Sequence, residues 1–529
     1  MPRIWIDNQE VDVSEGSTIL DAARALGIDV PALCHRAGCS PSTSCMCCVV
    51  RVNGSPNLVP SCATVAVEGM RVESETEEVR AGRRGALELL LSDHVGDCMG
   101  PCQCICPAGM DIPTMIRQIH AGDLPAAIET VKAHIALPAV LGRICPAPCE
   151  KGCRRGQADA PVSIMLLKRR AADADLAGEA PYLPDRLPAT GKRVAIVGAG
   201  PAGLAAAYYL LQQGHACVLF DQREAPGGML RYGVGEQELP RDVLDGEIAV
   251  IERLGAEFRL GVRVGDDPSV ADLRRDFDAV FLAVGRLADG DAERLGVEAV
   301  KGKVRVGGGT LATAVEGVFA GGDAVRAQRM TVRAVADGRS AAIAIGRHLA
   351  GGPVTGEAEA FNSRIGRLRE GEIGRFLAGA CGSARIEPEA PGSGLSAAAA
   401  VAEAARCLHC DCRKPLDCKL RIYAGRYGAR TSRFRDERRD FLQHADHPAV
   451  LYEPLKCIQC GLCIQIAARH GEKLGLTFIG RGSDVRVAVP FGEGLAQGLA
   501  VAAAECARAC PTGALAARDS GTARADAVD

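Results

Sequence analysis

The stretch Arg193–Asp221, RVAIVGAGPAGLAAAYYLLQQGHACVLFD, leaves this chain few folds to choose from. An apolar strand, Val194 to Val197, runs into Gly198, Gly200 and Gly203. An Ala/Leu-rich helix follows, and a second strand ends at Asp221. This is the order of a dinucleotide-binding βαβ unit. Gly198 allows the tight turn, Gly200 lets the backbone approach a pyrophosphate, and Gly203 lets helix and strand pack closely. The helix N-terminus offers free N–H groups and a favourable dipole to the anion. Asp221, 18 residues beyond Gly203, stands where a ribose-binding carboxylate belongs. Glycines alone are a weak signal; strand, glycines, helix, strand and acid in order are a strong one.

The cysteines, 24 in 529 residues, fall in groups on both sides of this module. The length allows roughly three to five domains. A net charge of −3 gives no electrostatic case for nucleic acid or a membrane surface. The start, MPRIWIDNQE, has no apolar signal core, and no apolar run reaches the roughly 18 residues of a spanning helix. These features lead us to expect a cytoplasmic chain with no integral membrane segment. There thiols stay reduced, and tight cysteine clusters hold metal rather than disulfides. Two sets end in Cys-Pro, as iron–sulfur runs often do; structural zinc is the alternative.

Taken in order, Arg3-Ile-Trp-Ile and Val11-Asp-Val around Asn8 read as a hairpin, and Thr18-Ile-Leu-Asp21 as a capped start for the helix Ile19 to Leu26. Cys34, Cys45, Cys48 and Cys62 then follow at C-x10-C-x2-C-x13-C, a spacing that suits a loop around a [2Fe–2S] cluster. Pro31-Ala-Leu-Cys34-His35 and Ser61-Cys62-Ala-Thr resemble the N-terminal ferredoxin-like domain of the large iron–sulfur subunit of complex I and of NAD-linked hydrogenases. Cys47, inside the CxxC, reads as a packed thiol.

Residues 79–178 look helical and carry His94, Cys98, Cys102, Cys104, Cys106-Pro, Cys145, Cys149 and Cys153. They resemble the helical domain that precedes the flavin domain in the glutamate synthase small subunit and in dihydropyrimidine dehydrogenase. That resemblance implies two [4Fe–4S] clusters, with Cys98, Cys102 and Cys153 in one and Cys106, Cys145 and Cys149 in the other. The fourth ligand of the first is His94 or Cys104. The position that supplies Gln or Glu to the second is Lys168 here, and an ammonium has no lone pair to give. One cluster would then be three-coordinate by protein, use Cys104, or be absent.

After a proline-rich linker at 179–189, the module continues through Pro226-Gly-Gly228, a buried strand ending at Gly285, Gly321-Gly322-Asp323, and a helix starting near Thr331. This order resembles the glutamate synthase type of flavoprotein, which implies FAD on Gly198, Gly200, Gly203, Asp221, Gly228, Gly285, Gly322, Asp323 and Thr331. That family inserts a nicotinamide domain between the Gly285 and Gly321 strands. Here those glycines stand 36 residues apart, little more than the roughly 30 of one βαβ unit, so the insert is expected to be missing.

Further on, Cys407, Cys410, Cys412 and Cys418 could hold another [4Fe–4S] cluster or zinc. Cys457-Ile-Gln-Cys460-Gly-Leu-Cys463 with Cys510-Pro reads as one [4Fe–4S] site of a ferredoxin whose second site is lost, since Ala467 stands at its expected ligand. The tail from Arg518 is polar and expected to be disordered.

The expectation is a multidomain α+β and α/β chain. It comprises a β-grasp ferredoxin domain (1–78), a helical iron–sulfur domain (79–178), a Rossmann-like FAD domain without its nicotinamide insert (190–350), a helical linker with a cysteine cluster (351–430) and a ferredoxin-like domain (445–517). With FAD, one [2Fe–2S] and two to four [4Fe–4S] clusters, it would relay electrons in a larger oxidoreductase. By resemblance, its partners would be an NADH-binding flavoprotein and the catalytic subunit of a dehydrogenase, such as formate dehydrogenase, or of a hydrogenase. A stand-alone NAD(P)H-dependent oxidoreductase and a non-catalytic iron–sulfur sensor or scaffold are the alternatives.

Overall fold

The computed structural model describes residues 1–518 apart from 328, 329, 379, 391, 435 and 436. Arg518 is ordered, donating to the carbonyls of Ala445 and His447; the rest of the tail lies outside the described residues. The chain divides into two compact units. One comprises residues 1–100, 360–380 and 408 onward, and the other residues 101–359 and 381–407.

The first unit begins with β1 (Arg3–Ile6) and β2 (Gln9–Asp12), an antiparallel hairpin. Its turn places Asp7 and Asn8 at φ 47° and 68°, where Asn and Asp are the tolerated side chains. Helix α1 (Ile19–Ala25) starts in a capping box: Thr18 Oγ1 accepts from the Asp21 N–H, and Asp21 returns the bond to the Thr18 N–H. Strands β3 (Val49–Val52), β4 (Leu58–Pro60) and β5 (Arg71–Glu73) complete a sheet of order β2-β1-β5-β3-β4, with only the β1–β5 pair parallel. Its core, Ile4, Ile6, Ile19, Leu20 and Val72, also takes in Cys48 and Cys62. Helix α2 (Glu77–Ser92) carries the fully buried Arg83, which donates to Val49 O, Glu75 and Tyr427.

The second unit opens with six helices: α3 (Pro101–Ile105), α4 (Ile112–His120), α5 (Leu124–Lys132), α6 (Pro138–Ile144), α7 (Pro148–Lys151) and α8 (Ile164–Leu176). Asp111 and Asp123 cap α4 and α5, each with proline in the first turn. The Rossmann-like module follows: β6 (Arg193–Val197), α9 (Pro201–Gln212), β7 (Ala216–Asp221), α10 (Arg241–Arg253), β8 (Glu257–Leu260), β9 (Ala279–Leu282), β10 (Val318–Ala320) and α11 (Thr331–Leu349). Its five strands are all parallel, in the order β10-β9-β6-β7-β8. Both faces are covered, so β6, β7 and β9 are buried almost throughout. Among the described residues, only a one-turn helix (Asp291–Arg294) and a small hairpin (Ala299–Val300 with Lys303–Val304) lie between β9 and β10.

Helix α6 has no side-chain cap of its own. Glu247 of α10 supplies one, accepting from the N–H groups of Ala139 (2.7 Å) and Val140 (2.9 Å). Burial pushes its carboxyl up to about 7, against the two N–H bonds that favour the anion. A raised folded-state value means stability that is full below the unfolded value and lost as pH rises through about 7. Glu247→Gln should remove up to about 3 kcal/mol of this pH dependence between roughly pH 4.5 and 7. Thermal midpoints of the two proteins across that range test this, and parallel curves would refute it.

The last stretch of the first unit, from 408, contains helix α12 (Lys419–Arg426), which packs on α2. Strands β11 (Val450–Tyr452) and β12 (Leu515–Ala517) then pair antiparallel and flank helices α13 (Leu462–Arg469) and α14 (Ala503–Ala509). One apolar core gathers Cys34, Cys45 and Cys47 with Cys418, Cys460 and Cys506. The stretch expected as one linker, 351–430, does not stay together: 381–407 belongs to the second unit and the cysteines from Cys410 onward to the first. Buried polar bonds hold the former in place. Glu403 accepts from the Ser163 N–H, and Arg155 donates to the carbonyls of Cys381 and Arg406. The expected helical domain is likewise divided, at Gly100. No helix of the described residues is long and apolar enough to cross a membrane.

Candidate metal and nucleotide sites

The loop between α1 and β3 brings Cys34 and Cys45 to 3.4 Å between sulfurs. Cys62, just after β4, reaches both Cys34 and Cys48. All four are at most 2 % exposed. Hydrogen bonds from Cys45 and Cys62 drive Cys34 towards thiolate, and Cys45 and Cys62 are pushed the other way, first by those same bonds to Cys34 and then by burial and neighbouring charge. Four buried thiols compete for the same few protons, and cationic metal would relieve that competition. Cys47 is equally buried but turns away, donating to Cys45 O at 3.3 Å.

The C-terminal set is built by the loop before α13 and the end of α14. Burial and one another's charge raise Cys457, Cys460 and Cys463, and Cys510 figures among the causes for each. Ala467 is fully buried and Cys506 donates to Cys463 O, so neither offers a second site here. This loop is tied to the first one. Ser42 Oγ donates to Cys460 O (2.9 Å), and the Gln465 amide exchanges two bonds with the Ser40 backbone. The charge of Cys34 is felt at Cys460.

In the second unit, Cys106, Cys145 and Cys149 line a small apolar cavity with Met165, Ile164, Lys168 and Val332. Cys145 ends α6 and Cys149 lies in α7. Burial pushes Cys149 up to about 12, and the Lys168 ammonium opposes this. Lys168 Nζ donates to Leu141 O at 3.1 Å. It is thus a cation near these thiols, with no lone pair to give. Cys102 and Cys104 lie on α3, which packs on α7 across Gly152; Cys102, Cys153 and Cys407 border the same apolar core as Cys106.

Cys98 belongs to the first unit, with Cys412 and Cys418, whose thiols bond to each other. Cys410 packs on the apolar cluster of Val95, Leu408 and Phe441. His94 Nδ1 is buried without a hydrogen-bond partner, and burial and Lys456 push the ring down to about 3, so it stays neutral. Lys456, itself buried, pairs with Glu453 at 2.5 Å. Among the described residues, no three His, Cys, Asp or Glu side chains converge as a single bound ion requires.

The nucleotide cradle depends on glycine at defined contacts. A Cβ on Gly198 would lie 2.3 Å from Ala283 O, and one on Gly203 would lie 1.9 Å from Gly198 O. Gly228, at φ 52°, comes so close to Gly200 that its Cβ would sit 2.8 Å from the Gly200 Cα. No side chain caps α9, which leaves its first N–H groups for an anion. Asp221 braces this loop: its two oxygens accept from Ala199 N–H (2.7 Å) and Arg223 N–H (2.8 Å). Gly322, at φ 67°, donates to Asp337 of α11 at 3.0 Å, which holds the turn that carries Asp323. Gly285 (φ 78°) lies just past the end of β9, with open space around it, and Thr331 opens α11. Asp337, Lys456 and Glu247 were not singled out from sequence. Each has another charged residue two or three positions away, so nothing in its own segment marks it out.

Known proteins bear on these sites domain by domain. Residues 3–77 match the 2Fe-2S iron-sulfur cluster binding domain, and 92–180 match dihydropyrimidine dehydrogenase domain II, 4Fe-4S cluster. Residues 196–245 match the NAD(P)-binding Rossmann-like domain. The chain joins two iron–sulfur modules to a Rossmann-like one. Its relatives include the NADP(+)-dependent formate dehydrogenase subunit beta of Moorella thermoacetica, 40% identical over 37% of this chain and 30% of that protein. The NADPH-Fe(3+) oxidoreductase subunit beta of Geobacter sulfurreducens is 41% identical over 35% of this chain and 28% of its own length. The glutamate synthase [NADPH] small chain of Mycobacterium tuberculosis is 42% identical over 36% and 40%. The chain thus spans less than half the length of these relatives.

Proposed function

We propose that this chain is a cytoplasmic iron–sulfur flavoprotein subunit that relays electrons between FAD and several iron–sulfur clusters within a larger oxidoreductase. On this reading, 1–78 is a β-grasp ferredoxin domain with [2Fe–2S] on Cys34, Cys45, Cys48 and Cys62. Residues 79–178 and 351–430 supply further cluster ligands, 190–350 binds FAD, and 445–517 holds [4Fe–4S] on Cys457, Cys460, Cys463 and Cys510. Cys106, Cys145 and Cys149 hold another [4Fe–4S] cluster. The observation that carries the reading is the set of separate, buried thiol groups in one chain with a glycine cradle. The single dinucleotide fold and the short segment between β9 and β10 favour a flavin that exchanges electrons with partners. Those partners are an NADH-binding flavoprotein of complex I type and a dehydrogenase or hydrogenase catalytic subunit. The relatives' names, which are those of subunits, agree.

Bound, the flavin would convert two-electron to one-electron transfer and the clusters would carry single electrons. The chain's own residues bind, orient and insulate. The α9 N–H groups receive the pyrophosphate, Asp221 and Asp337 fix the two loops that flank it, and Lys168 balances thiolate charge. Buried apolar residues keep water from the sulfurs, one of the levers on their potentials.

Anaerobically purified full chain should contain flavin, iron and acid-labile sulfide, and its flavin should bleach slowly with NADH or NADPH alone. Rapid bleaching without partners would sink the relay reading in favour of a stand-alone oxidoreductase; an empty flavin site would favour a sensor. Within the [2Fe–2S] domain, Cys47→Ala should leave the cluster's spectrum in place, whereas Cys45→Ala should abolish it. Equal loss in both would overturn the ligand assignment.

A further inference from the structure

Cys98 departs from the run it belongs to in sequence. The Cys98 N–H donates to Ser363 O at 3.0 Å, and the Ser363 N–H donates back to the Cys98 sulfur at 3.3 Å. The Cys412 N–H donates to Cys98 O at 3.4 Å. The Cys412 and Cys418 thiols share a hydrogen bond, and each feels the charge of Cys98 or imposes its own on it. The Cys98 sulfur thus receives a backbone N–H, and the Cys418 carbonyl accepts from the Ile422 N–H at 3.0 Å, which fixes Cys418 at the start of α12. Backbone N–H groups on sulfur stabilise thiolates and tune iron–sulfur potentials. All three cysteines are buried, at 7, 5 and 5 % exposure. The side chain of Lys456, itself buried, lies directly against Gly96, two residues before Cys98. Three buried thiols of one unit, tied together by backbone and thiol hydrogen bonds and with a buried cation close by, make a built anionic site.

We infer that Cys98, Cys412 and Cys418 ligate one iron–sulfur cluster, held wholly within the first unit. Cys98 therefore leaves the set with Cys102 and Cys153 that the family resemblance assigns to it. Cys407, in the second unit, leaves the set with Cys410, Cys412 and Cys418. Cys410, two residues before Cys412 and in the same unit, is the thiol that completes the site. This inference rests on the proposed function, in that the chain must carry iron–sulfur clusters at all.

The test uses anaerobically purified full chain, with iron, sulfide, zinc and flavin content and the electron paramagnetic resonance spectrum of the reduced protein. Cys98→Ala and Cys418→Ala should each lose about four irons and the same resonance. The double variant should lose no more than either single one, and Cys102→Ala should lose a different resonance. A retained [2Fe–2S] resonance from the set of Cys34, Cys45, Cys48 and Cys62, in the same unit, shows that each variant has folded. Cys98→Ser and Cys418→Ser, gentler changes, should shift or delete that same resonance. The inference is overturned if Cys98 and Cys418 variants lose different resonances and the double variant loses their sum. It is likewise overturned if Cys98→Ala and Cys102→Ala lose the same one, or if stoichiometric zinc leaves with Cys418. Wild-type chain without iron would overturn the proposed function instead.

Discussion

Gly203→Val is expected to empty the nucleotide site while leaving the iron content of the chain nearly intact. Any Cβ at this position lies 1.9 Å from Gly198 O and 3.1 Å from Ile196 Cγ2. The clash is with backbone, so no rotamer relieves it, and α9 must move off β6. That movement carries away the free N–H groups at its N-terminus and widens the loop that Asp221 braces. Overpacking of this kind costs about 1–3 kcal/mol, occasionally more, too little to unfold a domain whose total is roughly 5–15 kcal/mol. The loss should therefore appear in flavin absorbance before it appears in stability. Gly235→Ala, with nothing within 4 Å of its Cβ, is the control and should retain flavin. Full flavin in Gly203→Val would refute the cradle.

The largest stability effect is expected at Arg406. Arg406 and Glu403 are both fully buried and paired at 2.8 Å. Arg406 also donates to Ser383 O and Ala160 O, while Glu403 accepts from Ser163 and Ile386. Removing the cation leaves a buried carboxylate with two N–H bonds and no counter-charge. Breaking such a pair costs about 3–5 kcal/mol. Arg406→Met should lower the thermal midpoint of the second unit by roughly 10 °C, taking about 2–4 °C per kcal/mol. Arg406→Met with Glu403→Leu should recover a good part of that fall, because the unpaired charge goes too. Calorimetry of the three proteins decides; a double variant no better than the single one would show that the carbonyl bonds of Arg406, not the ion pair, hold the segment.

Local structure was readable where its cause is local. The Asp7-Asn8 turn, the Thr18 cap and the strand–glycine–helix–strand order of 193–221 are each written within a few residues and appear in the fold. The division into two units is not written that way. It depends on Arg155 and Glu403 reaching across more than two hundred residues of sequence to hold 381–407. Cysteine runs carry less information for the same reason: a run records which thiols are close in the chain, whereas a cluster needs thiols close in space. Cys98 and Cys407 sit at run ends where the chain passes from one unit to the other, and spacing is least informative there. Lys168 and Asp221 were legible as positions but not as roles, because their partners are carbonyl and N–H groups whose placement only the folded chain defines.

The tie between the loop of Cys34–Cys48 and that of Cys457–Cys463 has a kinetic consequence. Ser42 and Gln465 join these loops by three hydrogen bonds inside one unit. If both loops carry their clusters, the gap an electron crosses between them is fixed by the fold and bridged by a serine hydroxyl. Exchange across it then needs no hinge, no docking and no diffusion. Added glycerol should slow encounter with partner proteins and leave this internal step at its own pace.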